Sequence, residues 1–314
     1  MMANQSSGDT PGADRLTWGA FVLMAILAGG STVAVRMSNS GLPPFWGATL
    51  RLGTAALVFW IIVLLRGIPL PRARALRGAV LYGLLSMGLS YAGMYWGLTR
   101  APASLAGAML AFVPLLTFFC AWAHGLEKFR SQGLIGTLVA TAGVVFGVVG
   151  GFGGAMHVPS VLALLAGVTC MAEGTVVFKL FPRSHPVATN AVALTTGSLP
   201  LALLSLLTGE RWTLPTTLNS WAAYGYLVLI GSVVVFSLGL HILSRWTASA
   251  ASYVFLLMPV SSVVIAALLL GEAITLSLVI GTALVVAGVW LGAIHEASDT
   301  ADVACDQMPG TAAC

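Results

Sequence analysis

Long apolar runs, broken by short polar or charged segments, organise almost the whole chain. A helix needs about 20 mostly apolar residues to cross the hydrocarbon core of a bilayer. Runs of that length predict ten spans, with ends read to within a few residues. They are 16–35, 44–65, 78–98, 103–123, 133–152, 158–178, 187–207, 219–242, 248–270 and 275–295. Residues 1–15 are polar and read as an N-terminal tail. The run from Leu16 is too long for a signal-peptide core, so it reads as an uncleaved first span. Residues 297–314 are small, polar and acidic, and read as a disordered C-terminal tail. Their Thr-Ala-Ala-Cys end is not a prenylation box, which needs its cysteine fourth from the end.

The pattern repeats. At a shift of 145 residues, Leu98, Arg100, Ala103, Ser104 and Ala106 fall on Leu243, Arg245, Ala248, Ser249 and Ala251. Pro114, Glu127, Gly136, Gly143 and Gly147 fall on Pro259, Glu272, Gly281, Gly288 and Gly292. A weaker echo joins Thr32–Arg36 to Thr175–Lys179 and Pro43 to Pro186, at a shift of 143. The Gly-rich stretch 150–154 marks the joint between the halves, 16–152 and 158–295. A five-span unit that follows another enters the bilayer from the opposite side. The expected fold is therefore an all-α integral membrane protein of ten transmembrane helices, arranged as two inverted five-helix repeats.

Composition agrees with lipid as the solvent. The chain of 314 residues is 58% hydrophobic and 8% charged, with a mean hydropathy of +0.95. Soluble domains carry about a quarter charged residues. The net charge of +4 does not point to nucleic acid, because the basic residues sit at span ends on one side. With the N-terminus inside, the inner segments hold Arg15, Arg66, Arg72, Arg74, Arg77, Lys128, Arg130, Lys179, Arg183 and Arg245. The outer ones hold Arg36, Arg100 and Arg211. This bias predicts that both termini are cytoplasmic. The four cysteines show no zinc or disulfide spacing, so neither a metal nor a cofactor is expected.

A few residues could carry chemistry. Glu173 lies ~9 Å from the inner end of its span, a costly depth for a carboxylate. It could bind a solute amine, carry a coupling proton, or pair structurally with Lys179 or His241. Arg51 lies ~10 Å below the outer surface, too far from Glu173 for a direct pair. It could attract an anion, or bond carbonyls and snorkel outward. Tyr91 and Tyr95 share one helix face, with Trp96 beside them, and suit a pocket wall or an interfacial belt equally. Trp18 reads as belt, Tyr253 as a second pocket candidate, and His241 as an interface residue or a proton relay. Pro114 and Pro259 stand mid-span at matched positions, as hinges or cavity walls or as ordinary kinks. Gly143-x-x-x-Gly147 and Gly288-x-x-x-Gly292 suggest close helix packing, with each other or across a homodimer.

The segments Ala250-Ala251-Ser252, Met258-Pro259-Val260, Leu270-Gly271-Glu272 and Gly281-x6-Gly288-Val289 resemble the late-span signature of the EamA-type branch of the drug/metabolite transporter superfamily. Ala103-Ser104, Val113-Pro114, Glu127 and Gly136-x6-Gly143-Val144 resemble its earlier copy, with Leu126 in place of the usual glycine. The resemblance implies ten helices in two inverted repeats around a central pathway. The first, third and fourth helices of each repeat, with their neighbours, would mainly line that pathway. It also implies export of amino acids, metabolites or toxic compounds.

The expected function is secondary transport of a small solute by alternating access in the bacterial inner membrane. Amino acids or related metabolites lead, and multidrug or other metabolite export is the alternative. Proton coupling, if present, would fall first to Glu173. There is no phosphate-binding loop for direct use of ATP. An intramembrane enzyme is disfavoured: Gly88-Leu89-Ser90 and His241 lack a third partner or an oxyanion element.

Overall fold

The computed structural model describes residues 11–38, 42–97, 99–100, 109–129, 131–149, 157–270, 276–289 and 291. Among these residues the chain is helical, with no strand. In lipid every backbone N–H and C=O must be satisfied within its own segment, which favours helices. The first half holds α1 (Pro11–Ser38), α2 (Pro44–Leu65) and α3 (Ala73–Tyr82). A wide π-helical turn over Gly83–Leu89 then leads without a break into α4 (Ser90–Gly97). It ends with α5 (Val113–Ala123) and α6 (Ser131–Val149). The second half holds α7 (Val158–Lys179), α8 (Pro186–Leu207) and α9 (Leu218–Val228). A second wide turn, Leu229–Val234, joins α9 to α10 (Val235–Arg245). Then come α11 (Ala248–Ser252), α12 (Val254–Leu270) and α13 (Leu276–Val289).

Four of the described helical stretches are long and apolar enough to cross a membrane: Pro44–Leu65, Val158–Lys179, Pro186–Leu207 and Leu218–Arg245. Shorter apolar helices accompany them. The outward faces are greasy in matched places. On α2, Leu57, Ile61, Leu64 and Leu65 are exposed; on α8, Leu199, Leu203, Leu206 and Leu207 are exposed. Such contiguous apolar surface is what lipid contact requires and what water penalises. These pairs align at a shift of 142, as do the helix limits and the left-handed glycines that follow, Gly67 and Gly209. Pro44, rather than Pro43, is therefore the structural mate of Pro186, one residue off the sequence alignment.

The helix limits differ from the apolar runs where polar residues join a helix or a span breaks. The helix read from residue 78 begins at Ala73, because Arg74 and Arg77 extend it beyond its apolar part. The span read as 248–270 is interrupted at Tyr253. Within the span read as 103–123, α5 starts at Val113 after a turn at Ala111–Phe112. Pro114 thus stands in a first helical turn, where its missing N–H costs nothing.

The halves are related by reciprocal contacts. A Cβ on Gly143 would stand 2.7 Å from the carbonyl oxygen of Gly281, and one on Gly288 would stand 2.5 Å from that of Gly136. Each glycine thus touches its mate's neighbour, so α6 and α13 pack on each other in opposite directions. The two-fold axis relating them is perpendicular to the helices. The larger pattern follows suit. α1 packs on α12 and on the α9–α10 segment, while α7 packs on α5 and on the α3–α4 segment. α2 and α8 pack together.

Candidate functional site

The two wide turns occupy matched positions: at a shift of 145, residues 84–89 fall on 229–234. A π-turn bonds five residues back, widens the helix and sits frequently at functional sites. Each turn faces the first helix of the other half through one small contact, with its residues exchanged. In one half Ser31 of α1 abuts Gly231, so closely that a Cβ on the glycine would lie 2.6 Å from the hydroxyl. In the other, Ser86 abuts Gly174 of α7. Serine and glycine have traded places between symmetry mates. The same happens one step along: Gly239 faces Met24, and Gly167 faces the backbone of Met94.

The matched scaffold carries unmatched polar groups. Arg51 on α2 is buried, only 6% exposed. Its Nε donates to Ser232 Oγ and its Nη2 to the Gly231 carbonyl, both at 2.9 Å. Ser232 Oγ in turn donates to the carbonyl of Leu227, five residues back near the end of α9. The guanidinium carbon lies 5.8 Å from the Tyr91 ring centroid, and Tyr95 stacks on Tyr91 with centroids 5.9 Å apart. One turn beyond Arg51, the Thr54 and Tyr224 hydroxyls bond at 2.6 Å. Helices α1, α2 and α4 of one half and the wide turn of the other therefore converge here. This arginine bonds inward to a carbonyl and a hydroxyl rather than snorkelling outward.

A second polar group forms apart from it. Glu173 Oε1 on α7 lies 2.7 Å from His124 Nε2, in the turn after α5. About a third of each side chain is exposed, and the Cys120 thiol lies beside the same carboxylate. The partner is His124, not Lys179 or His241. Lys179 instead donates to the Trp246 carbonyl, where Trp18, Phe21 and Trp246 form an aromatic cluster.

Two carboxylates cap helices. Glu210 accepts from the backbone N–H groups of Phe45 and Trp46 at the start of α2. Above that contact Trp46 and Trp212 stack, 4.7 Å apart. Glu127 accepts from Ser249 N–H at the start of α11.

The chain matches the EamA-like transporter family over residues 17–149 and again over 158–293. It belongs to that family. Among relatives of this EamA-like chain is the uncharacterized inner membrane transporter YedA of Escherichia coli (strain K12). It is 25% identical over 82% of this chain and 84% of its own length. The uncharacterized transporter YvbV of Bacillus subtilis (strain 168) is 30% identical over 78% of this chain and 87% of its own. A probable terminal-alkyne amino-acid exporter of Streptantibioticus cattleyicolor is 26% identical over 88% of this chain and 93% of its own. A solved crystal structure superposes with a TM-score of 0.74 at 24% identity, over 91% of this chain and 98% of that one, a likeness of fold.

Of the residues singled out in the EamA-like sequence, the structure brings Arg51, Tyr91 and Tyr95 together and leaves Glu173 in its own pair. Trp96 is 41% exposed at the end of α4. Tyr253 is buried, its hydroxyl bonded to Thr137 Oγ1 and the Gly133 carbonyl, which ties α6 to the break before α12. His241 is half-buried near the end of α10, its Nε2 without a partner among the described residues. Pro259 lies within α12, but its side-chain surroundings, those of Gly147 in α6, and the whole of Gly292 fall outside the described residues. Sequence reasoning missed His124, Ser232 and the Thr54–Tyr224 pair. None of them carried a signal in the sequence.

Proposed function

We propose that the protein is a secondary exporter of amino acids or related small metabolites in the bacterial inner membrane. It works by alternating access. Ten helices, five from each of the halves 16–152 and 158–295, surround the pathway, with both termini cytoplasmic. The exchanged contact at the two wide turns, Ser31 with Gly231 and Gly174 with Ser86, carries this reading. Two equivalent packings of the same elements give a molecule two nearly equivalent arrangements, one open to each side. Packed interfaces of this kind switch between discrete states rather than deform gradually. Amino-acid export is supported by the relative from Streptantibioticus cattleyicolor and by the arginine and aromatic groups beside the second wide turn. The Glu173–His124 pair is the proposed coupling site for protons.

Counterflow tests the reading. Purified protein in liposomes, preloaded with unlabelled solute, is presented with labelled amino acids, nucleosides or cationic drugs. Amino acids are expected to accumulate transiently above equilibrium. Accumulation of drugs alone favours the multidrug alternative, and accumulation of none overturns transport of these classes.

A further inference from the structure

Arg51 is a buried cation with no anion beside it among the described residues. Among the described residues the ion pair found is His124 with Glu173, and no carboxylate lies within 4 Å of the Arg51 guanidinium. A charge held inside a membrane protein is costly and marks a solute or ion pathway by default. The Nε–Nη2 edge donates to two oxygens, Ser232 Oγ and the Gly231 carbonyl, each at 2.9 Å. A guanidinium takes the two oxygens of a carboxylate with that same fork. Neutral protein oxygens stand where a carboxylate's would.

Symmetry separates this arginine from the scaffold. At the shift of 142 that aligns α2 with α8, Arg51 falls on Ala193. Ala193 is fully buried, and its backbone carbonyl packs directly against Gly83 in the first wide turn. Packing a second helix against a wide turn therefore needs no arginine. The cation is an addition confined to one half. Beside it, Tyr91 and Tyr95 offer a stacked aromatic wall, suited to an apolar side chain.

We propose that Arg51 is the carboxylate subsite of the solute pathway, with Tyr91 and Tyr95 taking the apolar side chain. The proposal rests on the transporter reading above and narrows its substrate class to monocarboxylates with an apolar body, amino acids included. The incoming carboxylate replaces Ser232 and Gly231 on the guanidinium edge. That releases the Gly231 carbonyl and couples solute binding to the second wide turn.

The test compares acids with their amides in the reconstituted full chain: L-phenylalanine and L-leucine against L-phenylalaninamide and L-leucinamide. Wild-type counterflow should favour each acid by about tenfold or more, the scale of a charge-assisted hydrogen-bonded contact. Arg51→Gln should bring the acid down to the amide, and Arg51→Lys should restore part of the preference. Equal wild-type transport of acid and amide overturns the subsite while leaving transport intact. So does an Arg51→Gln loss of the same factor for both. Transport of neither by wild type overturns the reading beneath it and the subsite with it. The wild-type ratio needs no variant to fold.

Discussion

Ser31 and Gly231 meet across the two halves with no room for a methyl group between them. A Cβ on the glycine would stand 2.6 Å from the serine hydroxyl and 3.3 Å from Arg51 Nη2. The symmetry mate holds the same contact with the residues traded. Gly231→Ser alone should therefore lower stability by about 1–3 kcal/mol, the usual cost of overpacking. Ser31→Gly with Gly231→Ser recreates the arrangement of the other half and should recover most of that loss. Thermal unfolding in detergent of the two singles and the double reads this out. A double variant no more stable than Gly231→Ser would deny the equivalence.

The α6–α13 seam is closed by backbone, which cannot step aside. A Cβ at Gly288 would lie 2.5 Å from both Ala140 N and the Gly136 carbonyl oxygen. Gly288→Ala should destabilise by about 1–3 kcal/mol or more. Gly53→Ala, where nothing lies within 4 Å, should be near neutral. Melting midpoints of the two variants in one detergent make the comparison.

Glu210 satisfies two N–H groups in the first turn of α2, a turn begun by Pro44, which has none to satisfy. Glu210→Ala should cost about 1–2 kcal/mol, as loss of a cap does. Glu210→Gln should cost less, since its amide oxygen still accepts a bond. Equal losses for the two variants would show that the carboxylate's charge and second oxygen carry the effect.

The Glu173–His124 pair gives a kinetic prediction. Glu173→Gln should abolish uptake driven by a pH gradient and leave solute exchange at equal pH standing. Unchanged gradient-driven uptake removes Glu173 from coupling.

What could be read from the chain was what has a period or a repeat. Apolar length marks the spans, and the repeat pairs Gly143 with Gly288. Hydropathy has no register, however, so Gly83–Leu89 looks like any stretch of span although its hydrogen bonds run five residues back. An aromatic in an apolar run reads alike whether it lines a route or locks a core. Tyr253 does the latter, through Thr137 and Gly133. Glu173 stood out by the cost of its charge, but its partner sits in a turn 49 residues away, beyond the reach of any local pattern. Arg51 likewise stood out. The oxygens that hold it come from the other half, 180 and 181 residues on, so three-dimensional pairing of the repeats was needed to find them.

Alternating access requires that the region beside Arg51 open to each side of the membrane in turn. Thr54 lies one turn from Arg51 on α2 and faces Tyr224. The direct measurement places a cysteine there, Thr54→Cys, with Cys120, Cys170, Cys305 and Cys314 replaced by serine, in vesicles of known orientation. A membrane-impermeant maleimide should label it from both sides, and transported solute should change the two rates in opposite directions. Labelling from one side only, with and without solute, would contradict a route that two inverted halves open alternately.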